Sequence, residues 1–301
     1  MNRFNESNGT NDTIAGSFLT GLFDGKGRPS FLEEALSGRT QERSGVLGYL
    51  RSHPLVVRDV GCVSLESNLE RLRNKSELAA RQLKSRCREN QSREKSEVDI
   101  SLEHLSIDEA SAIILYTDNS GPYKILNFLL RAENRNEIRP FIEYLWLLMH
   151  GLSRCPSLIP TKPATVSTEP VTVVYRGIKE HVDIISSYFV DSVVVWSAFS
   201  SCTTEMIVLT LNDEFLGTTG DRTVFHITLT TNRARRIYHL STYSGEYEVL
   251  LPPKTVLRVQ HVADHHDGLM EIHLLEEPCV DPILVFDDDI GNIFYCRLTI
   301  C

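Results

Sequence analysis

Gly245-Glu246-Tyr247-Glu248-Val249-Leu250-Leu251-Pro252-Pro253 decides the fold class of this 301-residue chain. Val249 to Leu251 is a short apolar run closed by two prolines, the pattern of a buried strand. Two glutamates stand at its entrance. In a strand, positions i and i+2 face the same way, roughly 6.5–7 Å apart. Glu246 and Glu248 are therefore expected to point into one cleft while Tyr247 turns into the sheet. Upstream lie two further strand ends with polar side chains, Tyr175-Arg176-Gly177 and Phe199-Ser200-Ser201-Cys202-Thr203. Taken singly, these are an ordinary surface arginine, an ordinary Ser/Thr turn and an ordinary solvated Glu-x-Glu face; their joint order is what carries information.

The surrounding chain supports a β-rich second half. Val171 to Tyr175, Val193 to Phe199, Thr223 to Leu229, Tyr247 to Leu251, Val256 to Val262 and Met270 to Leu275 are β-branched or alternating runs bounded by turn residues. Before the Pro-rich stretch 156–170 the pattern is helical. Ser106 followed by Glu109 is a capping box that starts a helix, Gly121-Pro122 ends it, and Tyr123 to Arg131 begins the next. Ser30 to Leu36 has the cap and spacing of a short helix. Helices first and strands after define an α+β domain. Between Leu65 and Glu97 the leucines form a thin stripe among Arg, Lys, Glu, Ser, Asn and Gln. That segment reads either as an exposed helix laced with charge pairs or as a partly disordered linker. The expected division is a polar tail and charged extension over 1–97 and a catalytic domain over 98–301.

Composition excludes several classes. A formal net charge of -9 argues against a nucleic-acid-binding protein, which needs a basic surface to displace counterions. The basic run Arg81 to Arg88 is read as a solvated helix face. The most apolar run, Phe141 to Leu148, is interrupted by Glu143 and too short to cross a bilayer. No apolar leader precedes residue 14, so an intracellular protein is expected, and the Asn-x-Ser/Thr triplets at Asn5, Asn8 and Asn11 read as chance composition. Seven scattered cysteines form neither a disulfide framework nor a zinc pattern. His261, Asp264, His265, His266 and Asp267 fall between two strand runs as a polar hairpin tip, and Asp287-Asp288-Asp289 lacks the Gly and closing Glu of a calcium loop. No metal is expected.

The ordered set Arg176, Ser201-Cys202-Thr203, Glu246-Tyr247-Glu248 resembles the signature of the arginine-specific mono-ADP-ribosyltransferases: Arg, then Ser-Thr-Ser, then Glu-x-Glu. This family includes the vertebrate cell-surface enzymes and the enzyme components of clostridial binary toxins. The helical half adds to the likeness. Ser106 to Thr117 looks like the family's first domain helix, and Tyr123-x-x-Leu126-Asn127-x-x-Leu130-Arg131 resembles the toxin branch's Tyr-x-x-Ile-Asn-x-x-Leu-Arg helix. The resemblance spans residues 100 to 278. Cys202 and Thr203 depart from the second and third signature positions, leaving Ser201 as the one position that the chemistry strictly needs.

The resemblance implies two small, mainly antiparallel sheets enclosing an NAD cleft, with NAD (or NADP) as cosubstrate and a protein bearing an accessible arginine as partner. It implies that Glu248 stabilises the ribosyl cation, an oxocarbenium-like demand that glycosidases also meet with carboxylates. Glu246 would grip the incoming guanidinium, and Ser201 would position Glu248. Arg176 and Gly177 would serve NAD and the cleft wall, Arg131 the pyrophosphate, and Asn127 the cofactor side of the same helix. A mobile loop, His239 to Gly245, would carry Tyr243 onto the target arginine. The rival expectations are an NAD glycohydrolase, with water as acceptor, and a non-catalytic binding module.

Overall fold

The computed structural model describes residues 31–38, 45–89, 96–132, 134–159, 172–182 and 186–279. The Asn5, Asn8 and Asn11 triplets and Asp287-Asp288-Asp289 lie outside them. The chain forms two compact units. One holds the described residues up to Pro156 together with Ile237–Ser244. The other holds Ser157–Arg236 and the described residues from Gly245 onward.

The helical unit contains α1 (Leu32–Ser37), α2 (Gly45–Ser52), α3 (Pro54–Asp59), α4 (Leu65–Glu89), α5 (Glu97–His104), α6 (Ile107–Thr117), α7 (Tyr123–Arg131), a 3-10 turn (Arg135–Phe141) and α8 (Ile142–Ser153). The charged segment whose state the sequence leaves open is thus a helix of 25 residues. Leu65, Leu69, Leu72, Ser76 and Ala80 put its buried stripe on one face, which packs on α6; many of its charges face solvent, while Arg73 is largely covered and Lys84 donates to the Leu102 and Leu105 carbonyls. Each fully buried leucine contributes about 1.5–3 kcal/mol of transfer free energy. Two helix starts are set by side chains. Ser96 with Asp99, and Ser106 with Glu109, form reciprocal capping boxes that open α5 and α6.

α8 crosses α6 closely because Gly151 has no side chain. A Cβ there would lie 3.1 Å from Ile113 Cδ1 and 3.2 Å from Glu109 Cβ. Beside this contact Glu109, whose side chain is only 6% exposed, accepts from the Ser106 N–H (2.8 Å), contacts the His150 imidazole Nδ1 and pairs with the Arg154 guanidinium.

The other unit is built on β1 (Thr172–Ile178), β2 (Val193–Trp196), β3 (Ser200–Thr203), α9 (Met206–Leu211), β4 (Arg222–Leu229), β5 (Arg235–Arg236), β6 (Glu248–Leu251), β7 (Thr255–Asp264) and β8 (Leu269–Glu277). These form one eight-stranded sheet in the order β2-β7-β8-β4-β1-β3-β6-β5, in place of the two expected sheets. The physical reason lies between β1 and β3, where a single residue pair, Tyr175 with Thr203, joins an outer five-stranded part to the β3-β6-β5 part. Every pairing is antiparallel except β4 with β8.

The run Val193 to Phe199 also divides. β2 ends at Trp196 on one sheet edge, and Ser197 to Phe199 carry the chain to β3, between β1 and β6. The main core, with Val174, Trp196, Phe225, Ile227, Val259, Ile272 and Leu274, covers one sheet face. A smaller cluster of Leu209, Leu216 and Val224, with Tyr175 and Phe215 against it, covers part of the other. Among the described residues, the five cysteines are free thiols and no helix is long and apolar enough to cross a membrane.

The Glu109 clamp gives the helical unit a pH dependence. Burial by itself raises the carboxyl's pKa, but the hydrogen bonds from His150 and Ser106 and the nearby Arg154 charge outweigh it, so the folded-state value is depressed. A depressed carboxyl stabilises the fold above its unfolded pKa of about 4.3, and that stability is lost as pH falls through the folded-state value. Glu109→Gln leaves Arg154 without its buried counter-charge and is expected to cost about 3 kcal/mol at neutral pH. Urea melts across pH should show this loss, together with a flatter acid limb than wild type. An unchanged midpoint and acid limb would remove the clamp from the account.

Candidate active site

The site grows from the pairing of β3 with β6. Its register sets Thr203 opposite Glu248 and Ser201 opposite Leu250, so that Ser201 is a diagonal neighbour of Glu248 on the same face. Ser201 Oγ donates to Glu248 Oε1 at 2.8 Å. Glu248 is 5% exposed, so the bond fixes an otherwise buried carboxylate in one orientation.

Glu246 reaches the same cleft by a different route from the expected pleat. Ser244–Glu246 is a 3-10 turn, and the strand begins only at Glu248. Between them Tyr247 adopts φ +48°, the left-handed region, and stands half-exposed to solvent rather than turned into the sheet. That conformation interrupts the two-residue alternation and costs about 1–2 kcal/mol for an L-residue. Thr203 holds the turn: its Oγ1 donates to the Glu246 carbonyl (2.8 Å) and accepts the Glu205 N–H (3.1 Å). The hydroxyl at the third signature position therefore has a structural task of its own, beside Ser201, the one position that the chemistry strictly needs.

Arg176, on β1, is 3% exposed. Its Nη1 donates to the Ser201 carbonyl at 3.4 Å, a long bond, and its guanidinium lies 5.1 Å from the centre of the Trp196 ring. The arginine thus braces the strand that carries Ser201, and Trp196 supports it through a cation–π contact. Trp196 is not among the candidate residues of the sequence, because only the fold brings it, from the end of β2, against Arg176. Gly177 is required by the chain itself: a Cβ there would lie 2.8 Å from Leu216 Cβ and 3.1 Å from the Phe215 carbonyl oxygen.

Arg176, Gly177, Ser201, Cys202, Thr203, Val208, Leu209, Phe215, Glu246 and Glu248 line a solvent-open cleft of about 360 Å³. The residues Val208, Leu209 and Phe215 come from α9 and the turn after it, an element without a clear signal in the sequence. The cleft combines an oriented buried carboxylate, a second and more accessible carboxylate, and a buried cation. Such a set suits a substrate that develops positive charge beside groups that carry negative charge.

The remaining candidates belong to the helical unit. Asn127 and Arg131 are on α7, where Asn127 is buried and donates to Tyr116 Oη at 3.1 Å. Tyr243 lies in the Ile237–Ser244 segment, its hydroxyl accepting from Asn119 Nδ2 at 2.7 Å, and the neighbouring Thr242 N–H donates to Thr117 Oγ1 at 3.0 Å. In the other unit, His261 lies within β7 and Asp264 ends it, and His265, His266 and Asp267 belong to the turn into β8.

The family model of the NAD:arginine ADP-ribosyltransferases matches residues 60–278. No curated protein matches the chain in sequence. Among solved structures, the chain is similar to Vis toxin, an ADP-ribosyltransferase from Vibrio splendidus (16% identity, 68% of this chain and 86% of that one, TM-score 0.47). It is also similar to the ADP-ribosyltransferase HopU1 of Pseudomonas syringae pv. tomato DC3000 (20% identity, 62% and 90% covered, TM-score 0.45). A third similar structure is the eukaryotic mono-ADP-ribosyltransferase ART2.2, a mutant in complex with NADH (15% identity, 83% and 95% covered, TM-score 0.48).

Proposed function

The chain belongs to the NAD:arginine ADP-ribosyltransferase family, and on that premise we propose that it transfers ADP-ribose from NAD to arginine side chains of a target protein, releasing nicotinamide. The observation that carries this reading is the pair of carboxylates in one cleft, with Glu248 fixed by Ser201 and Glu246 by the turn that Thr203 holds. In this reading the bond from ribose C1′ to the nicotinamide nitrogen breaks, and nicotinamide leaves with the electron pair. Glu248 supplies the negative charge that the resulting ribosyl cation requires, and Ser201 prevents the carboxylate from rotating away. A guanidinium nitrogen of the target then bonds to C1′ and passes one proton to the Glu246 carboxylate, from which it goes to solvent. Before the transfer Glu246 holds that guanidinium, which is charged at neutral pH, through charge-assisted hydrogen bonds.

Arg176 keeps the Ser201 strand in place and adds positive charge to the NAD side of the cleft. Asn127 and Arg131 are proposed for the cofactor side, with Arg131 on the pyrophosphate, and Tyr243 for stacking on the target arginine. We also propose that the chemistry resides in 98–301, with 1–97 as an extension. The buried leucines of α4 make that extension part of the helical core, so a fragment starting at residue 98 is expected to melt well below the full chain. If its melting temperature equalled that of the full chain, the extension would have no part in the core.

Two substitutions separate the acids. Glu248→Gln preserves shape but not charge and is expected to remove both NAD hydrolysis and transfer to a guanidino acceptor. Glu246→Gln is expected to lower transfer about ten- to hundred-fold, the equivalent of one charge-assisted bond of about 1.5–3 kcal/mol, while appreciable hydrolysis remains. Both activities are read from one reaction by separating free ADP-ribose from the conjugate. Equal loss in the Glu246 variant would place that acid on the NAD side and leave the arginine acceptor without a physical basis.

A further inference from the structure

On the sheet face opposite the main core, β4 and β8 place a second group of chemistry-bearing side chains together. Their parallel register sets His226 beside His273, and Glu271 precedes His273 by two positions on the same face. The neighbouring residues Phe225, Ile227, Ile272 and Leu274 point the other way, into the core. The two imidazoles stack with ring centres 4.5 Å apart. Glu271 Oε1 lies 3.3 Å from His226 Nε2 and 2.7 Å from His273 Nε2. One ligand atom from each of the three residues falls within 4.8 Å of the others. His226 Nε2 is shielded from solvent and makes no hydrogen bond, although it is aimed into this group. None of the three residues lines the cleft described above.

We propose that His226, Glu271 and His273 form a binding site for a divalent cation of the zinc class, which staples β4 to β8. Two imidazoles and one carboxylate are a common zinc donor set, and nitrogen donors disfavour calcium and magnesium. Metal–ligand bonds of about 2.0–2.2 Å in a tetrahedral site put donor atoms roughly 3.3–3.6 Å apart, so small side-chain adjustments within this group suffice. The fourth position is left to water. His265, at the tip of the hairpin, has Nε2 2.9 Å from Glu271 Oε2 and orients the carboxylate from outside, as partners of ligating groups commonly do. A bound ion would thereby also hold the turn between β7 and β8.

The alternative is a plain hydrogen-bonded network in which two histidines satisfy Glu271, and metal binding distinguishes the two. Chelator-treated, tag-free full-length protein is titrated with Zn²⁺ by calorimetry and with Co²⁺ by absorption spectroscopy, with Mg²⁺ as control. The spectra matter because the chain has seven cysteines, and cobalt on a thiolate shows a sulfur charge-transfer band that nitrogen and oxygen ligands lack. The expected result is one equivalent of Zn²⁺ bound, no sulfur band, no Mg²⁺ binding and a metal-dependent rise in melting temperature. His273→Ala and Glu271→Gln are each expected to weaken binding by more than about tenfold and to abolish the rise. His266→Ala, at the exposed tip, should leave both unchanged. His273→Gln, which keeps a polar side chain, guards against a folding defect and should also lose the metal. Absence of stoichiometric binding, a sulfur band, or affinity unchanged in the His273 and Glu271 variants would each overturn the site.

Discussion

The register of β3 against β6 is the constraint on which the candidate site depends. It makes Ser201 the diagonal neighbour of Glu248 and sets Thr203 directly opposite it, so that one four-residue strand orients both acids. A slip of one residue would turn Ser201 and Thr203 to the other sheet face and leave the Glu248 carboxylate buried without its donor. β3 is held in turn by β1 through a single residue pair and through Arg176, which bonds the Ser201 carbonyl and rests on Trp196. A long hydrogen bond and one ladder pair are modest interactions. The burial of Arg176 and the close fit of Gly177 against Phe215 and Leu216 give this junction its rigidity.

The two acids are held in different ways, and the difference has chemical meaning. Glu248 sits at the start of a fully buried strand, where a carboxylate is costly unless it is hydrogen-bonded. Glu246 sits on a turn outside the strand, more open to solvent, and is joined to Glu248 through a residue in a left-handed conformation. Residues held in sparsely populated backbone regions cluster at functional sites, where surrounding structure determines them. A fixed inner charge and an outer charge on a turn match the separate tasks proposed for the ribosyl cation and the incoming guanidinium.

Much of the fold was legible because short-range physics dictates it. The Ser106–Glu109 capping box, the Tyr123–Arg131 helix and most strand runs follow from capping, periodicity and β-branched patterning, and the order of Arg176, Ser201 and the Glu-x-Glu pair identified the cleft. What escaped depends on partners distant in the chain. Nothing local marks Ser197 to Phe199 as a crossing between two places in the sheet. The alternation rule predicted the right meeting of Glu246 and Glu248 for the wrong reason, because it cannot anticipate a left-handed tyrosine. α4 could not be told from a linker until its thin leucine stripe found α6. Trp196, Phe215 and the His226, Glu271 and His273 group share no spacing in sequence; β4 and β8 pair in parallel, His226 with His273, across a long stretch of intervening chain.

The central claim is that this cleft passes ADP-ribose to a guanidinium rather than to water. Its most direct test is incubation of the full-length protein with NAD labelled in the adenylate and with agmatine, a guanidino compound whose only other nitrogen group is a protonated primary amine, followed by fragment mass analysis that locates the ADP-ribose on the guanidine. ADP-ribosyl-agmatine is expected together with released nicotinamide. Free ADP-ribose as the sole labelled product, with agmatine unmodified, would contradict it.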